Sequence, residues 1–447
     1  MVTTTPPTLT SVAEQILDLA KVRVEQAEVY AYETADTPVD FEANRLKALE
    51  TKEARGVALR VVKDGRVGLA STSRLDDLGT LVDTAVELAP FGAEAKFDLP
   101  SSVAPTPVDV FNPATERLGV EQMAGLGQEM IDRILAYDSD ILCEAGVRRH
   151  LQTTELLNSR GGHGAYRKSS YTLIVGGQLI RGEDFLSIWE YESSCAPGLD
   201  HRLLADAAIR KFDLAKHVET VATRRMPVIF TPRGVAFILL RYLDVALSGK
   251  ALLQGSSAVS DKLGQQVFDP RLTIADDSTL SGVPGASPFD DEGVPTRRLP
   301  LIDRGVVANF YYDLQTAGLA GKESTGNGYR SPVSLPSPNT GVLVVEPGDQ
   351  PFEQLLAGID EGLLVESTTG NPGNIYSGDF SGNIQTGFKI KNGKLAGRVK
   401  NTMVAGNVFS DMKQLGGISD VAEWVGGSVK APHLFFSELG VSTKSGG

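Results

Sequence analysis

The chain has 447 residues, 41% hydrophobic and 22% charged, with a formal net charge of −13. That length exceeds one average core and predicts two or three domains. The acidic balance disfavours non-specific attraction to nucleic acid, which needs Lys and Arg to neutralise phosphates.

The N-terminal residues lack the basic-then-apolar order of a signal peptide. The longest apolar run, Gly234 to Leu253, is interrupted by Arg241 and Asp244 and falls short of a membrane span. Cys143 and Cys195 form neither a CxxC pair nor a disulfide framework, and read as small buried thiols in a reducing compartment. A cytoplasmic protein is expected.

In chain order, an amphipathic helix is predicted from Ser11, as N-cap, to about Gln26, with Val12, Ile16, Leu19, Val22 and Val24 as its stripe. Strand-like runs follow, two of them joined through Lys63-Asp64-Gly65, a hairpin signal. A helix is predicted from about Leu75 to Leu88. These elements define a first α/β unit, residues 1–100. A Pro-, Ala- and Ser-rich linker is expected over about 91–113.

A second α/β unit, 114–222, repeats the plan. Its helix spans about Gly119 to Tyr137, strands follow near 139–150, 152–158, 168–178 and 184–193, and a helix from about Asp200 to Val218 closes it. The shared plan allows distant structural repeats, although no residue-level identity supports them.

The third unit, 223–447, opens with a short strand and a helix. Thr231 caps that helix and Pro232 takes its first position. Val235, Ile238, Leu239, Tyr242, Val245 and Ala246 lie on one face at helical spacing. Short strands and Gly, Pro or Asn turns follow, with hairpins at Asp303-Arg304-Gly305 and Asn392-Gly393. The expected fold is α+β: α/β units of helix–strands–helix plan, then a largely antiparallel β domain.

A search for chemistry yields few candidates. Of the five histidines the closest pair, His150 and His163, is thirteen positions apart, and no HExxH-like motif occurs. No GxSxG elbow exists, and Ser256-Ser257 reads as a loop that caps the next element. No Walker A sequence occurs. Gly326-Asn327-Gly328 lacks the setting of a dinucleotide fingerprint and reads as a tight turn, or as backbone that approaches a ligand or partner closely.

The densest block runs from Ser287 to Arg330. Asp290, Asp291, Glu292 and Gly293 form an acidic turn. Adjacent carboxylates repel, so the turn is expected to face water, a cation or a ligand's amides and amines. A hard-cation site would need further ligands at defined offsets, which are absent.

Several ordered segments resemble the TldD/PmbA family, a two-subunit metalloprotease system also described as modulators of DNA gyrase. They are GSSAVSDKLGQQVFDPRLTIADD, SPFDDEGVPTRRLPLIDRGVVANFYYD, STGNGYR, VEPGD, SGDFSGNIQTGFKIKNGKLAGRV and MVAGNVFSDM. The resemblance is strongest from about Pro227 onward and leans to the PmbA (TldE) branch. In the TldD branch a helix opening the third domain carries a zinc-binding HExxxH. Here the matching positions hold Arg241 or Leu240, Tyr242, and Ala246 or Val245, none of them a good zinc ligand.

The resemblance therefore implies a subunit that binds no metal and is not catalytic by itself. A TldD-like partner would hold the zinc and form a heterodimer with it, and a homodimer is possible for the isolated chain. The pair would enclose a barrel-like chamber that degrades small or unfolded peptides. Asp290, Asp291, Glu292, Gly293, Arg297, Gly326, Asn327 and Gly328 are the expected peptide- or partner-binding residues. The acidic turn would help shape the shared cavity or hold Arg297 and Arg298 in an ion-pair network across the subunit contact, and Asp291→Asn would weaken pairing with the catalytic subunit. Segments 379–402 and 342–346 are candidate strands for an edge that takes an extended peptide or for the dimer contact. Two alternatives stay open: a homodimeric metallopeptidase with unrecognised ligands, and a non-enzymatic peptide-binding regulator linked to DNA gyrase.

Overall fold

The computed structural model describes residues 8–182, 184–370 and 373–444. The N-terminal residues 1–7, part of the segment read as lacking a signal peptide, lie outside them.

Helix α1 spans Leu9–Ala20 and buries Leu9, Val12, Ala13, Ile16 and Ala20. It starts earlier than the sequence predicts. Thr8 is the N-cap, and its side chain accepts from the Ser11 N–H, which places Ser11 inside the first turn. It also stops earlier, because Gln26 already begins a strand and Val22 is left exposed.

That strand, β1 (Gln26–Glu42), organises the N-terminal half. Among the described residues a seven-stranded sheet runs β4-β3-β1-β5-β6-β7, with β2 also on β1. Here β2 is Arg45–Leu49, β3 Lys52–Lys63, β4 Arg66–Thr72, β5 Leu142–Asn158, β6 His163–Arg181 and β7 Asp184–Ser194. The β3–β4 hairpin turns at Asp64 and Gly65, both at positive φ. β1 pairs antiparallel with β5 from Glu28–Asn158 to Phe41–Ala145. The first and second α/β units therefore share one continuous sheet. The two predicted strands at 139–150 and 152–158 are one strand, β5.

Helices cover one face of this sheet. α1 and α2 (Leu78–Leu88) pack on Ala27, Val29, Ala31, Leu59 and Val61 at one end. At the other end α4 (Val120–Tyr137) and α5 (His201–Leu214) pack on Val39, Phe41, Val147, Leu173 and Val175; α3 (Pro113–Glu116) is a single turn before α4. Side chains alternate along a strand, so Glu28, Tyr30, Ala58 and Arg60 point to the opposite face. That face meets the C-terminal domain. Tyr30, Ala58 and Leu156 pack there on Phe289.

The segment over 91–113 runs between these layers. Asn158 Nδ2 donates to Pro100 O on the sheet side. Thr106 N donates to Pro288 O, and Asp109 N to Ser281 Oγ, on the other.

The C-terminal domain closes a five-stranded barrel. Arg224–Phe230 pairs with Glu361–Thr369, which pairs with Asp379–Lys391, then Thr402–Asn407, then Val429–Thr443, which returns to Arg224–Phe230. The hairpins at Arg304-Gly305 and Asn392-Gly393 take positive φ at both positions. The opening helix begins as predicted, with Thr231 Oγ1 accepting from Gly234 N. It continues through a π turn, Val235–Leu239, into Leu240–Leu247. The π turn rotates the face, so Ala236, Leu240 and Leu243 are buried as well, while Val245 is half-buried. Phe380 stacks edge-on to Phe230 and packs on Tyr242, which anchors the helix to the barrel.

The closed ring corrects one expectation. Asp379–Lys391 has neighbours on both sides, and Leu343–Val345 lies between Ile274–Asp277 and Val429–Thr443. Neither of these two strands offers the free edge that strand addition by a peptide requires, whereas Lys394–Val399, also within 379–402, has a second neighbour only at Arg398 and Val399. No helix among the described residues is long and apolar enough to cross a membrane.

Candidate functional site

The acidic turn is buried, which overturns its expected exposure. Asp290 is 1% and Glu292 0% exposed; Asp291 is half-buried. Asp290 holds the turn together. Its Oδ1 accepts from Glu292 N (3.0 Å) and Val294 N (2.9 Å), and its Oδ2 from Gly328 N (2.8 Å). Gly293 sits at φ +80, in left-handed space, with its N–H on Asp290 O. Asp291 then pairs with the glycine loop: its N–H donates to Gly328 O, and its Oδ2 accepts from Arg330 N at 2.9 Å.

Glu292 turns toward the sheet. Its Oε1 accepts from Arg60 Nη1 at 2.6 Å, and its Oε2 from Leu314 N at 2.7 Å. Arg60 Nη2 reaches Glu28 at 2.8 Å, and the other Glu28 oxygen accepts from Arg330 Nη2 at 2.5 Å. Arg330 also donates to Asp291 O and lies over the Tyr30 ring, 4.7 Å from its centroid. An alternating chain of charges, Glu292–Arg60–Glu28–Arg330, thus bolts the C-terminal domain to the sheet. Such burial is tolerated only because each charge meets its opposite. Burial pushes the Glu28 carboxyl up, but Arg60 and Arg330 outweigh it and hold the group below the usual carboxylate range. For Asp290, burial and then the neighbouring Glu292 push the carboxyl well up, against three amide donors.

The Gly326-Asn327-Gly328 loop completes this clasp. Asn327 is 1% exposed. Its Nδ2 donates to Asp276 Oδ2 (2.6 Å) and Asn339 O, and its Oδ1 accepts from Thr325 Oγ1. Burial raises the Asp276 carboxyl to about 6, against hydrogen bonds from Val342 N, Asn327 and Gly341 N. A Cβ on Gly328 would collide with the Glu292 carboxylate, so only glycine lets loop and turn touch.

Seven of the eight singled-out residues therefore converge, and they converge on one another. Arg297 does not join them. It is exposed, with Ser324 O at 3.4 Å. Arg298 pairs with Glu346 and Asp277. Within the chain, Glu292 of the acidic turn forms its ion pair with Arg60, and Arg330 donates to the Asp291 backbone carbonyl. Sequence reasoning passed over Glu28, Arg60 and Arg330. The available signal was a charge in an otherwise apolar strand, Arg60 in GVALRVV.

The opening helix is the second candidate. Arg241 is exposed, and Leu240, Tyr242 and Ala246 are buried against the barrel. A cavity of about 30 Å³ lies beside them, lined by Phe237, Ile238, Arg241, Thr368 and Phe380 among others. That is room for about one water. These side chains do not fit zinc: an arginine repels a dication, and Leu and Ala offer no lone pair. Among the described residues, no group of three or more His, Cys, Asp or Glu is placed to hold a metal ion. His150, His163 and His201 pair separately with Asp36, Glu155 and Glu129. His433 stacks on Phe352, where burial brings its pKa down to about 4.

The nucleophile candidates are structural. Ser257 Oγ donates to Ala246 O and accepts from Val259 N, a loop cap. Burial pushes the Cys143 and Cys195 thiols up to about 12 and about 11, far from thiolate character at neutral pH.

The comparisons with known proteins place this architecture, a five-stranded barrel behind a helix-covered sheet, in a metallopeptidase-like class. Residues 223–443 match the PmbA/TldA metallopeptidase C-terminal domain, and residues 27–89 match PmbA/TldA metallopeptidase domain 1. The chain belongs to the PmbA/TldD family. A metalloprotease PmbA homolog of Haemophilus influenzae is 25% identical over 383 residues, 82% of this chain and 81% of its own length. A metalloprotease TldD homolog of the same organism is 31% identical over 179 residues, 40% of this chain and 37% of its own. In fold the chain is similar to TldE from Thermococcus kodakarensis, with a TM-score of 0.89 at 23% identity over 96% of this chain and 100% of that one.

Proposed function

We propose that this chain is the non-catalytic, TldE-like subunit of a two-chain metallopeptidase, and that a TldD-like partner holds the zinc. One observation carries this reading: the helix that bears HExxxH in the TldD branch presents Arg241 or Leu240, Tyr242, and Ala246 or Val245 here, with no histidine along it. The similarity of both PmbA- and TldD-named proteins to this chain supports a partner of that type. In the pair, the chain completes a chamber for small or unfolded peptides, which folded domains cannot enter. The partner's zinc supplies peptide-bond hydrolysis by activating water. This chain's part is to enclose and position the peptide.

The test is co-expression with an HExxxH-bearing relative. Peptide hydrolysis is then measured for each chain alone and for the mixture. Hydrolysis confined to the mixture supports the reading. Full hydrolysis by the partner alone, with no complex on size-exclusion chromatography, contradicts it.

A further inference from the structure

A cavity of about 410 Å³ opens between the second α/β unit and the C-terminal domain; it shares no lining residue with the 30 Å³ site, although Tyr191 of the one lies 6.4 Å from Phe237 of the other, centroid to centroid. That volume falls in the range of small-ligand sites. Its floor is a closed ring of charges. Lys211 pairs with Glu190 and, at 2.5 Å, with Glu366. Arg233 approaches the other oxygen of each, 3.4 Å from Glu190 Oε2 and 3.2 Å from Glu366 Oε1. Two cations and two carboxylates cancel there.

The rim is not balanced. Glu192 and Glu423 add two carboxylates, and among the described residues neither side chain has a hydrogen-bond or ion-pair partner. Burial pushes both carboxyl groups up; for Glu423, Lys211 offsets part of this while Glu190, Glu366 and Glu192 add to it. A positive charge between them would relieve that repulsion. Aromatic rings of the walls already carry cations, one from the lining (Arg233) and one from outside it (Lys430, the cross-strand neighbour of Trp424). Arg233 lies over the Tyr191 ring at 4.6 Å, and Lys430 over the Trp424 ring at 5.6 Å.

The geometry also decides which cation. The four carboxylates do not converge as metal ligands. Negative charge dispersed around an aromatic-sided space suits a cation on an aliphatic stem, whose methylenes lie on the rings while its head meets Glu192 and Glu423. We propose that this pocket binds an organic cation, an ammonium or guanidinium group on an alkyl chain. Lysine or arginine side chains of a peptide, a peptide's N-terminal amine and free polyamines share that chemistry. The site belongs to this chain alone and holds whether or not a catalytic partner exists.

The test uses the isolated full chain. Trp424 lines the pocket and Trp189 faces a different cavity, so a change in the Trp424 contribution to intrinsic fluorescence, isolated with Trp189→Phe, reports binding. Four probes are titrated: a terminally blocked peptide with one lysine, its norleucine analogue, an unblocked lysine-free peptide, and spermidine. Saturable binding of a cationic probe, weakened about tenfold or more in E192Q/E423Q, supports the site, and the tightest probe names the source. Both residues lack internal partners, so the variant is expected to fold; circular dichroism checks this, and the single variants serve if it does not. Equal binding of the norleucine peptide, unchanged binding in the variants, or no saturation at millimolar probe overturns the proposal.

Discussion

Arg60 and Glu292 lie 232 positions apart in the chain, yet Nη1 and Oε1 are 2.6 Å apart in a fully buried pair. Arg60 belongs to β3 of the sheet, and Glu292 to the acidic turn of the C-terminal domain. The pair makes the two layers depend on each other. Removing Arg60 leaves Glu292 and Glu28 short of positive charge in a dry interface. Arg60→Met is expected to destabilise the protein by about 3–5 kcal/mol, and Arg60→Met with Glu292→Gln by less than the sum of the two single changes. Urea unfolding at neutral pH checks this; a single variant within about 1 kcal/mol of the parent contradicts the clasp.

Two glycines separate close approach from flexibility. A Cβ at Gly328 meets the Glu292 carboxylate, whereas one at Gly125, inside α4, meets nothing within 4 Å. Gly328→Ala is expected to destabilise by about 1–3 kcal/mol through overpacking. Gly125→Ala is expected to stabilise by about 0.5–1 kcal/mol, because alanine is the better helix former. Thermal unfolding of both variants checks the opposite signs.

Much of the secondary structure is legible in the sequence, because it rests on local signals. Thr231-Pro232 caps a helix through one side-chain bond, and Asn392-Gly393 supplies the two positive-φ residues of a hairpin. The clasp is not legible, because its partners are remote. Nothing near Asp290 in the sequence announces that Arg60 and Glu28 wait on the sheet side, so three acids in a row read as a wet turn. The shared sheet is hidden for the same reason: Glu28 pairs with Asn158 across more than a hundred residues. That the opening helix carries no histidine is readable from residue identity, whereas its correspondence to the HExxxH helix rests on the family resemblance.

His433 predicts a pH effect with a definite sign. Burial lowers its pKa from 6.5 to about 4, so the folded state resists protonation that the unfolded chain accepts. This group's contribution is therefore fully present above about pH 6.5 and is lost as pH falls toward 4, by at most about 3 kcal/mol. His433→Gln is expected to flatten that part of the stability profile. Resonance titration of the His433 ring checks it directly: a midpoint near 4 agrees, and one above 6 contradicts the burial.

The zinc content of the purified chain, measured by mass spectrometry after metal-supplemented expression, tests the central claim most directly. Far less than one zinc per chain, with no chelator-sensitive peptide cleavage, is the predicted result. One tightly held zinc per chain, with cleavage that a chelator abolishes, would contradict the account.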